Sequence, residues 1–317
     1  MGVRGGSAAI DISASFFKEY LKGPALRIGV DLGGTKIEGI LLAESGEQIA
    51  RERIATPAHS YEAVVEAIAG LVEGLQAKAG GGATVGLGGP GAVSAVTGLI
   101  KNSNTLAISG RALPEDLAKR LGCQVRFSND ANCFALSEAV DGAGADYPTV
   151  FGVIIGTGTG GGVVIDKKVL TGVNGIGGEW GHNPMPGATE ERTCYCGRIN
   201  CIETYLCGAG LATTYLEAGG EAIKAPEIAA RAAAGEALAE TVLDTYCRQL
   251  ARALAGVINL LDPAAIVLGG GVSNIDIIYE IVPQYWADYV FSDSCVTALV
   301  KAKYGDSSGV RGAAWLW

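Results

Sequence analysis

No apolar run in this sequence approaches the ~20 residues a helix needs to cross a bilayer; the best candidate, residues 151–165, is interrupted by six glycines. A membrane span is therefore not expected. Basic residues are sparse as well, 24 Lys and Arg against 33 Asp and Glu for a net charge of −9, and they are scattered rather than gathered into runs. That leaves no electrostatic footprint for nucleic acid, so no nucleic-acid partner is expected. Residues 1–24 carry one early cation, Arg4, and no continuous apolar core. They do not read as a secretory signal, and a cytoplasmic protein is expected. Only two histidines are present, and of the eight cysteines Cys194, Cys196 and Cys201 fall within eight residues while the rest lie far apart. In a chain without a secretory signal this pattern favours metal over disulfides.

Apolar residues make up 49% of the 317 positions, ample material for a core, and the length favours two lobes or one large α/β domain. Glycine is abundant, with 48 residues, and much of it is clustered at DLGGTK (31–36), GLGGPG (86–91), GTGTGGG (156–162) and LGGGVS (268–273). Clusters of this kind mark special backbone turns.

Residues 1–24 read as an N-terminal extension in which Phe16, Phe17, Tyr20 and Leu21 form one amphipathic turn. From Arg27 three strands follow, the first pair joined by a glycine turn and the second by Glu44-Ser45-Gly46. Helical periodicity over 60–79 leads into a buried strand at TVGLGGPG. Helices are expected at 113–122 and 130–143, with the strand QVRFS between them. The segment TVFGVIIGTGTGGGVVIDKKVLTG then repeats the opening pattern of strand, glycine turn and strand. Duplicated meander lobes with a cleft between them suit a nucleotide. Further helices are expected at 202–218, 225–234, 236–261 and 274 to about 290, with strands at AAIVLGGG and CVTALVKA and a last helix entering at Asp306.

The block GEWGHNPMPGATEERTCYCGRINCIE (178–203) supplies one imidazole and three thiolates from His182, Cys194, Cys196 and Cys201. The set suits a closed tetrahedral Zn²⁺ site, with buried free cysteines as the alternative. Four protein ligands leave no position for water, so such a zinc folds a loop. At DLGGTK the glycines let the backbone approach a phosphate, or else the segment is a hairpin turn with a solvated Lys36. Asp130 stands where a strand meets a helix, which suits either a helix cap or a catalytic carboxylate. On their own Glu179 and Glu203 read as surface carboxylates, and Gly89-Pro90-Gly91 as a tight turn.

In this order DLGGTK, GPG, NDAN, GTGTGGG, GEWGH, CYCG, CIE and LGGG resemble the ROK family of bacterial sugar kinases and related repressors, over residues 27–317. The resemblance implies an α/β, two-lobed actin-like ATPase (ribonuclease H-like) fold with an interlobe cleft and a zinc-binding loop. It implies an N-terminal lobe at 25–130, completed by 306–317, and a C-terminal lobe at 131–305 with the zinc loop at 182–201. Asp130 is then the catalytic base. Asp31 positions Mg²⁺ through its hydration shell, and ATP lies against Gly33, Gly34, Thr35 and Lys36, against Gly156, Thr157, Gly158 and Gly160, and against Gly269, Gly270 and Gly271. The sugar is held by Asn104, Asn129, Glu179, His182 and Glu203, with Gly89 in a sugar-side turn. One departure is Asn200, which stands where the family pattern has glycine before the third cysteine; asparagine tolerates the left-handed conformation better than most residues.

NDANCFALSEAVDGA, CYCG and GDSSGVRGAAWLW are most similar to the fructokinase or mannokinase branch of the family. That implies D-fructose to fructose 6-phosphate, with mannose or glucose as further substrates, and an N-acetylglucosamine kinase or glucokinase of the same family as the alternative. A sugar-sensing regulator is the competing class, but the ~24 residues before the first strand are too few for a DNA-binding helix-turn-helix. A mean hydropathy of +0.29 and the apolar surplus favour a homodimer.

Overall fold

The computed structural model describes residues 26–103 and 105–317, with the backbone alone at Asp306. The amphipathic turn expected at Phe16–Leu21 and the sugar contact expected at Asn104 lie outside these residues. Strands β1 (Arg27–Leu32), β2 (Lys36–Leu42) and β3 (Gln48–Ala55) form an antiparallel meander. Helix α1 (Tyr61–Ala79) follows, capped where Ser60 Oγ accepts from Ala63 N at 3.3 Å and ended by the left-handed Gly80. Its apolar stripe, Val64, Ile68, Leu71 and Leu75, faces the sheet. Next come β4 (Thr84–Gly89), the short hairpin of β5 (Ala92–Val93) and β6 (Ile100–Lys101), helix α2 (Leu113–Leu121) and β7 (Val125–Asn129). The sheet order is β3-β2-β1-β4-β7, with β1, β4 and β7 parallel.

Helix α3 (Asp130–Val140) leads to the second sheet, which repeats this plan. Strands β8 (Thr149–Ile155), β9 (Thr159–Ile165) and β10 (Lys168–Val169) make an antiparallel meander. Helices α4 (Glu203–Leu206), α5 (Gly208–Glu217), α6 (Ala225–Ala233) and α7 (Ala237–Leu261) then precede β11 (Ala265–Gly269), α8 (Ile277–Tyr285), β12 (Ala298–Lys301) and α9 (Ser308–Ala314). The order is β10-β9-β8-β11-β12, with β8, β11 and β12 parallel. The echo read in the glycine motifs is thus a repeated topology. The first sheet packs its core with α1 and α2, and the second a separate core with α4–α8. Central strands such as β11 are buried along their whole length, which is why they read as continuous apolar runs.

Two crossings join the sheets, and one carboxylate ties them. Glu138 of α3 is fully buried and accepts from Ala143 N (2.9 Å), Lys303 N (2.9 Å), Tyr304 N (3.1 Å) and Ser308 Oγ (2.8 Å). It pins the segment entering α9 to the helix leaving β7. Helix α9 then lies against β1, β4 and α3 so closely that a Cβ on Gly312 would sit 1.6 Å from Cys133 O.

Two expected helices differ in detail. The helix expected over 202–218 breaks at Cys207, whose backbone is extended and whose Sγ caps α5 by accepting from Gly210 N at 3.3 Å. The helix expected from 274 to about 290 is confined to Ile277–Tyr285, flanked by 3-10 turns at Gly271–Asn274 and Trp286–Asp288.

Candidate active site

The turn between β1 and β2 carries DLGGTK. It is closed by Gly33 N donating to Lys36 O at 3.0 Å and held from β3's end by Thr56 Oγ1 donating to Gly33 O at 2.7 Å. Gly34, Thr35 and Lys36 are exposed, and a Cβ at Gly34 would meet nothing within 4 Å. The backbone is open where a phosphate would approach. From the second sheet, the turn Gly156–Thr159 lies beside Gly270 and Gly271, with Gly208 N donating to Gly156 O at 2.8 Å. Gly270 holds a left-handed φ of 86°, and Ser273 Oγ donates to its carbonyl at 2.6 Å.

Asn129, not Asp130, caps α3: its Oδ1 accepts from Asn132 N at 2.7 Å. Asp130 Oδ1 accepts from Ala131 N at 2.8 Å. The side chain is open to solvent, yet protein crowds it from several directions, and this loss of hydration raises its carboxyl above the ordinary range. At the end of β1, Asp31 is pushed up to about 6 by burial, then by the charges of Asp130 and Glu38, against the opposing charge of Lys36. Asp31 and Asp130 therefore bring two mutually repelling carboxylates together. Such a pair suits a cation or a substrate proton.

Asn129 Nδ2 donates to Glu179 Oε1 at 3.2 Å. Burial raises the Glu179 carboxyl, His182 opposes the rise, and Asp130 adds to it. Glu179 precedes and His182 ends the 3-10 turn Trp180–His182, which Trp180 anchors by burying its ring edge-on to Phe151 (centroids 6.0 Å) and donating Nε1 to Ala253 O at 3.3 Å. Gly181 lets this turn press onto the start of β9, since a Cβ there would lie 1.9 Å from Thr159 O.

The ligand atoms of His182, Cys194, Cys196 and Cys201 lie within 4.8 Å of one another. Cys196 Sγ is 3.6 Å from Cys201 Sγ, and Cys194 Sγ is 3.7 Å from His182 Nδ1. A tetrahedron built on ~2.3 Å Zn–S bonds has edges of about 3.8 Å, so these donors fit Zn²⁺ in both chemistry and spacing. The loop is stitched by Cys194 N to Arg198 O (2.8 Å), Asn200 N to Arg192 O (2.8 Å) and Ile202 N to Asn183 O (2.9 Å). Asn200 adopts a left-handed φ of 55°. Its Oδ1 accepts from Arg192 N at 2.7 Å and Tyr205 Oη at 3.0 Å, bonds that glycine lacks.

The structure thus brings Asp31, Asn129, Asp130, Glu179 and His182 into one neighbourhood. Glu203 is turned inward: Oε2 accepts from Thr159 N at 2.9 Å and Oε1 lies 3.9 Å from Cys194 Sγ. Gly89 ends β4 opposite Asn129, and the turn after it carries Gly91 at φ 92°. Tyr195, which the sequence did not single out, packs edge-on to His182 with its Oη 3.1 Å from Nε2; its one signal was its position between two cysteines. A hollow of about 780 Å³ lined by residues including Arg192, Thr214, Arg248 and Arg252 lies away from these groups, and neither the glycine loops nor the carboxylates line it. Among the described residues no helix is long and apolar enough to cross a membrane.

A family model described as the ROK family matches residues 27–317. The N-acetyl-D-glucosamine kinase of Photobacterium profundum is 43% identical over 296 residues, covering 91% of this chain and 98% of that protein. The ROK hexokinase of Thermus thermophilus superposes with a TM-score of 0.81 at 30% identity, covering 92% of this chain and 97% of that one. A ROK glucokinase from Streptomyces griseus, solved with glucose and AMPPNP, superposes at 0.72 with 28% identity, covering 92% and 98%. A family match across nearly the whole chain and a curated relative at this identity establish that the protein belongs to the ROK family.

Proposed function

We propose that the chain is an ATP-dependent sugar kinase with Asp130 as its general base. One observation carries the reading. Asn129 serves as the cap of α3, so the Asp130 carboxylate, bonded only through Oδ1 to its neighbour Ala131 N, has an oxygen left for substrate, and its charge reaches both Asp31 and Glu179. A sugar hydroxyl held by Asn129, Glu179 and His182 hands its proton to Asp130 as it attacks the γ-phosphorus, whose bond to the β,γ-bridging oxygen breaks so that ADP leaves. A raised carboxyl is the stronger base for that step. Gly34, Thr35 and Lys36 face the phosphates from the first sheet, and Gly156, Thr157, Gly158 and Gly160 from the second, while Gly269, Gly270 and Gly271 flank the adenosine. Asp31 orients Mg²⁺ through water, and Mg²⁺ when bound neutralises phosphate charge. His182, Cys194, Cys196 and Cys201 would hold Zn²⁺ with no position left for water, so that site shapes the loop. The proposal also carries the lobe division at 25–130 with 306–317 against 131–305, a cytoplasmic setting and a homodimer.

N-acetyl-D-glucosamine leads as the substrate because the curated relative at 43% identity is an N-acetyl-D-glucosamine kinase. Fructose, with mannose, is the second reading, supported by the resemblance of 129–143, CYCG and 305–317 to the fructokinase or mannokinase branch. A coupled ADP-release assay with MgATP against N-acetylglucosamine, glucose, fructose and mannose decides between them. The highest kcat/KM on N-acetylglucosamine supports the first reading, and the highest on fructose or mannose the second. Folded, zinc-loaded protein with no turnover on any of the four contradicts the kinase reading.

A further inference from the structure

Glu203 was expected at the sugar, yet its carboxylate reaches the other substrate's loop. Oε2 accepts from Thr159 N at 2.9 Å, at the point where the turn Gly156–Thr159 enters β9. The approach requires glycine next door: a Cβ on Gly158 would lie 2.5 Å from Glu203 Oε2. Thr159 is gripped from a second side as well, because Gly181 lies so close to its carbonyl oxygen that a Cβ there would sit at 1.9 Å. The preceding turn is tied to the same region by Gly208 N, which donates to Gly156 O at 2.8 Å. Glu203 itself follows the zinc cluster by two residues, with Oε1 3.9 Å from Cys194 Sγ, and Thr204 N donates to Cys201 O at 2.9 Å. The cysteine–histidine cluster, Glu203 and the glycine turn are therefore one mechanically continuous unit.

We infer that Glu203 is a positioning residue for the nucleotide: it couples the zinc cluster to the Gly156–Thr159 turn, so that the metal orders the ATP side of the site in addition to the sugar side. The inference rests on reading that turn as a phosphate loop. A carboxylate accepting from a backbone N–H forms a strong, charge-assisted bond that fixes the turn before nucleotide arrives. Glycine-rich turns have many accessible conformations, so an anchor at their exit lowers the ordering cost of binding.

The discriminating readout is nucleotide affinity in the absence of sugar, which a residue acting only on the sugar would leave unchanged. Binding of the β,γ-imido analogue of ATP with Mg²⁺ is measured by calorimetry on zinc-loaded wild type, Glu203→Ala and Glu203→Gln, with zinc content and thermal midpoint recorded for each. Glu203→Ala should weaken binding about tenfold, the scale of one hydrogen bond to a charged group. Glu203→Gln keeps a carbonyl acceptor and should recover most of the loss. Chelating zinc from wild type should weaken binding by a similar factor and add little to Glu203→Ala, as coupled sites do. An unchanged analogue Kd in a folded, zinc-loaded Glu203→Ala overturns the inference and leaves the kinase reading intact. A wild type that binds no analogue overturns the phosphate-loop reading beneath it.

Discussion

Asn129 spends its two amide atoms on different parts of the molecule: Oδ1 caps α3 by accepting from Asn132 N at 2.7 Å, and Nδ2 donates to Glu179 Oε1 at 3.2 Å on the loop that leads to the cysteine–histidine cluster. Asn129→Asp keeps an acceptor for the cap and places a second carboxylate against Glu179. The expected outcome is a sugar KM at least about tenfold higher with a nearly unchanged thermal midpoint, whereas Asn129→Ala also loses the cap, at about 1 kcal/mol. Steady-state kinetics beside thermal unfolding of the two variants check this.

The half-buried Asp31 makes a prediction about stability. Its carboxyl is raised from 3.8 to about 6, so the folded protein binds this proton more tightly than the unfolded chain does. The unfavourable contribution of the ionised group therefore grows as pH rises from about 4 to about 6 and persists above that range. Asp31→Asn should stabilise the nucleotide-free protein by about 1 kcal/mol at pH 7.5, with the gain fading towards pH 4. Urea unfolding at the two pH values measures it, and a less stable Asp31→Asn at pH 7.5 contradicts the reading.

Much of this site could be read from the sequence, and what was missed has physical causes. The glycine turns and the cysteine–histidine quartet are local patterns; the quartet's ligand atoms lie within 4.8 Å of one another, and Gly156 lies beside Gly270 and Gly271. The break at Cys207 was hidden because Tyr205, Leu206, Leu211 and Tyr215 keep helical spacing across it, while the capping thiol that stops the helix has no periodic signal. Asn129 and Asp130 are adjacent candidates for one cap, and only side-chain direction separates them. The Thr159–Glu203 bond joins residues 44 apart, and Tyr195 reaches His182 by the turn of a hairpin. Neither is a pattern of spacing.

Asn200 offers a test of the zinc loop's backbone. Its φ of 55° costs a β-carbon-bearing residue about 1–2 kcal/mol, and its Oδ1 accepts two hydrogen bonds that offset that cost. Asn200→Gly relieves the strain but loses the bonds, and Asn200→Ala suffers both penalties. Thermal midpoints and zinc dissociation constants should rank wild type first, Gly second and Ala last.

Tyr195 bears on sugar choice. With His182 Nδ1 facing the cysteine cluster, Nε2 lies 3.1 Å from Tyr195 Oη, so the imidazole and the phenol are placed to meet the same sugar oxygen. Tyr195 is exposed, and a tyrosine phenol keeps its proton at any ordinary working pH, so it can serve as a donor. Tyr195→Phe should raise the sugar KM about fivefold, with the KM for ATP unchanged. An unchanged sugar KM would leave Tyr195 as a solvent-facing wall.

The most direct test of the account is turnover by Asp130→Asn. The substitution keeps the shape of the side chain and removes the base, so kcat on the best sugar should fall by about 10²–10⁴ while zinc content holds and the thermal midpoint does not fall. Retention of more than about a tenth of wild-type kcat, on the scale a general base supplies, would contradict Asp130 as the base and with it the central reading of this site.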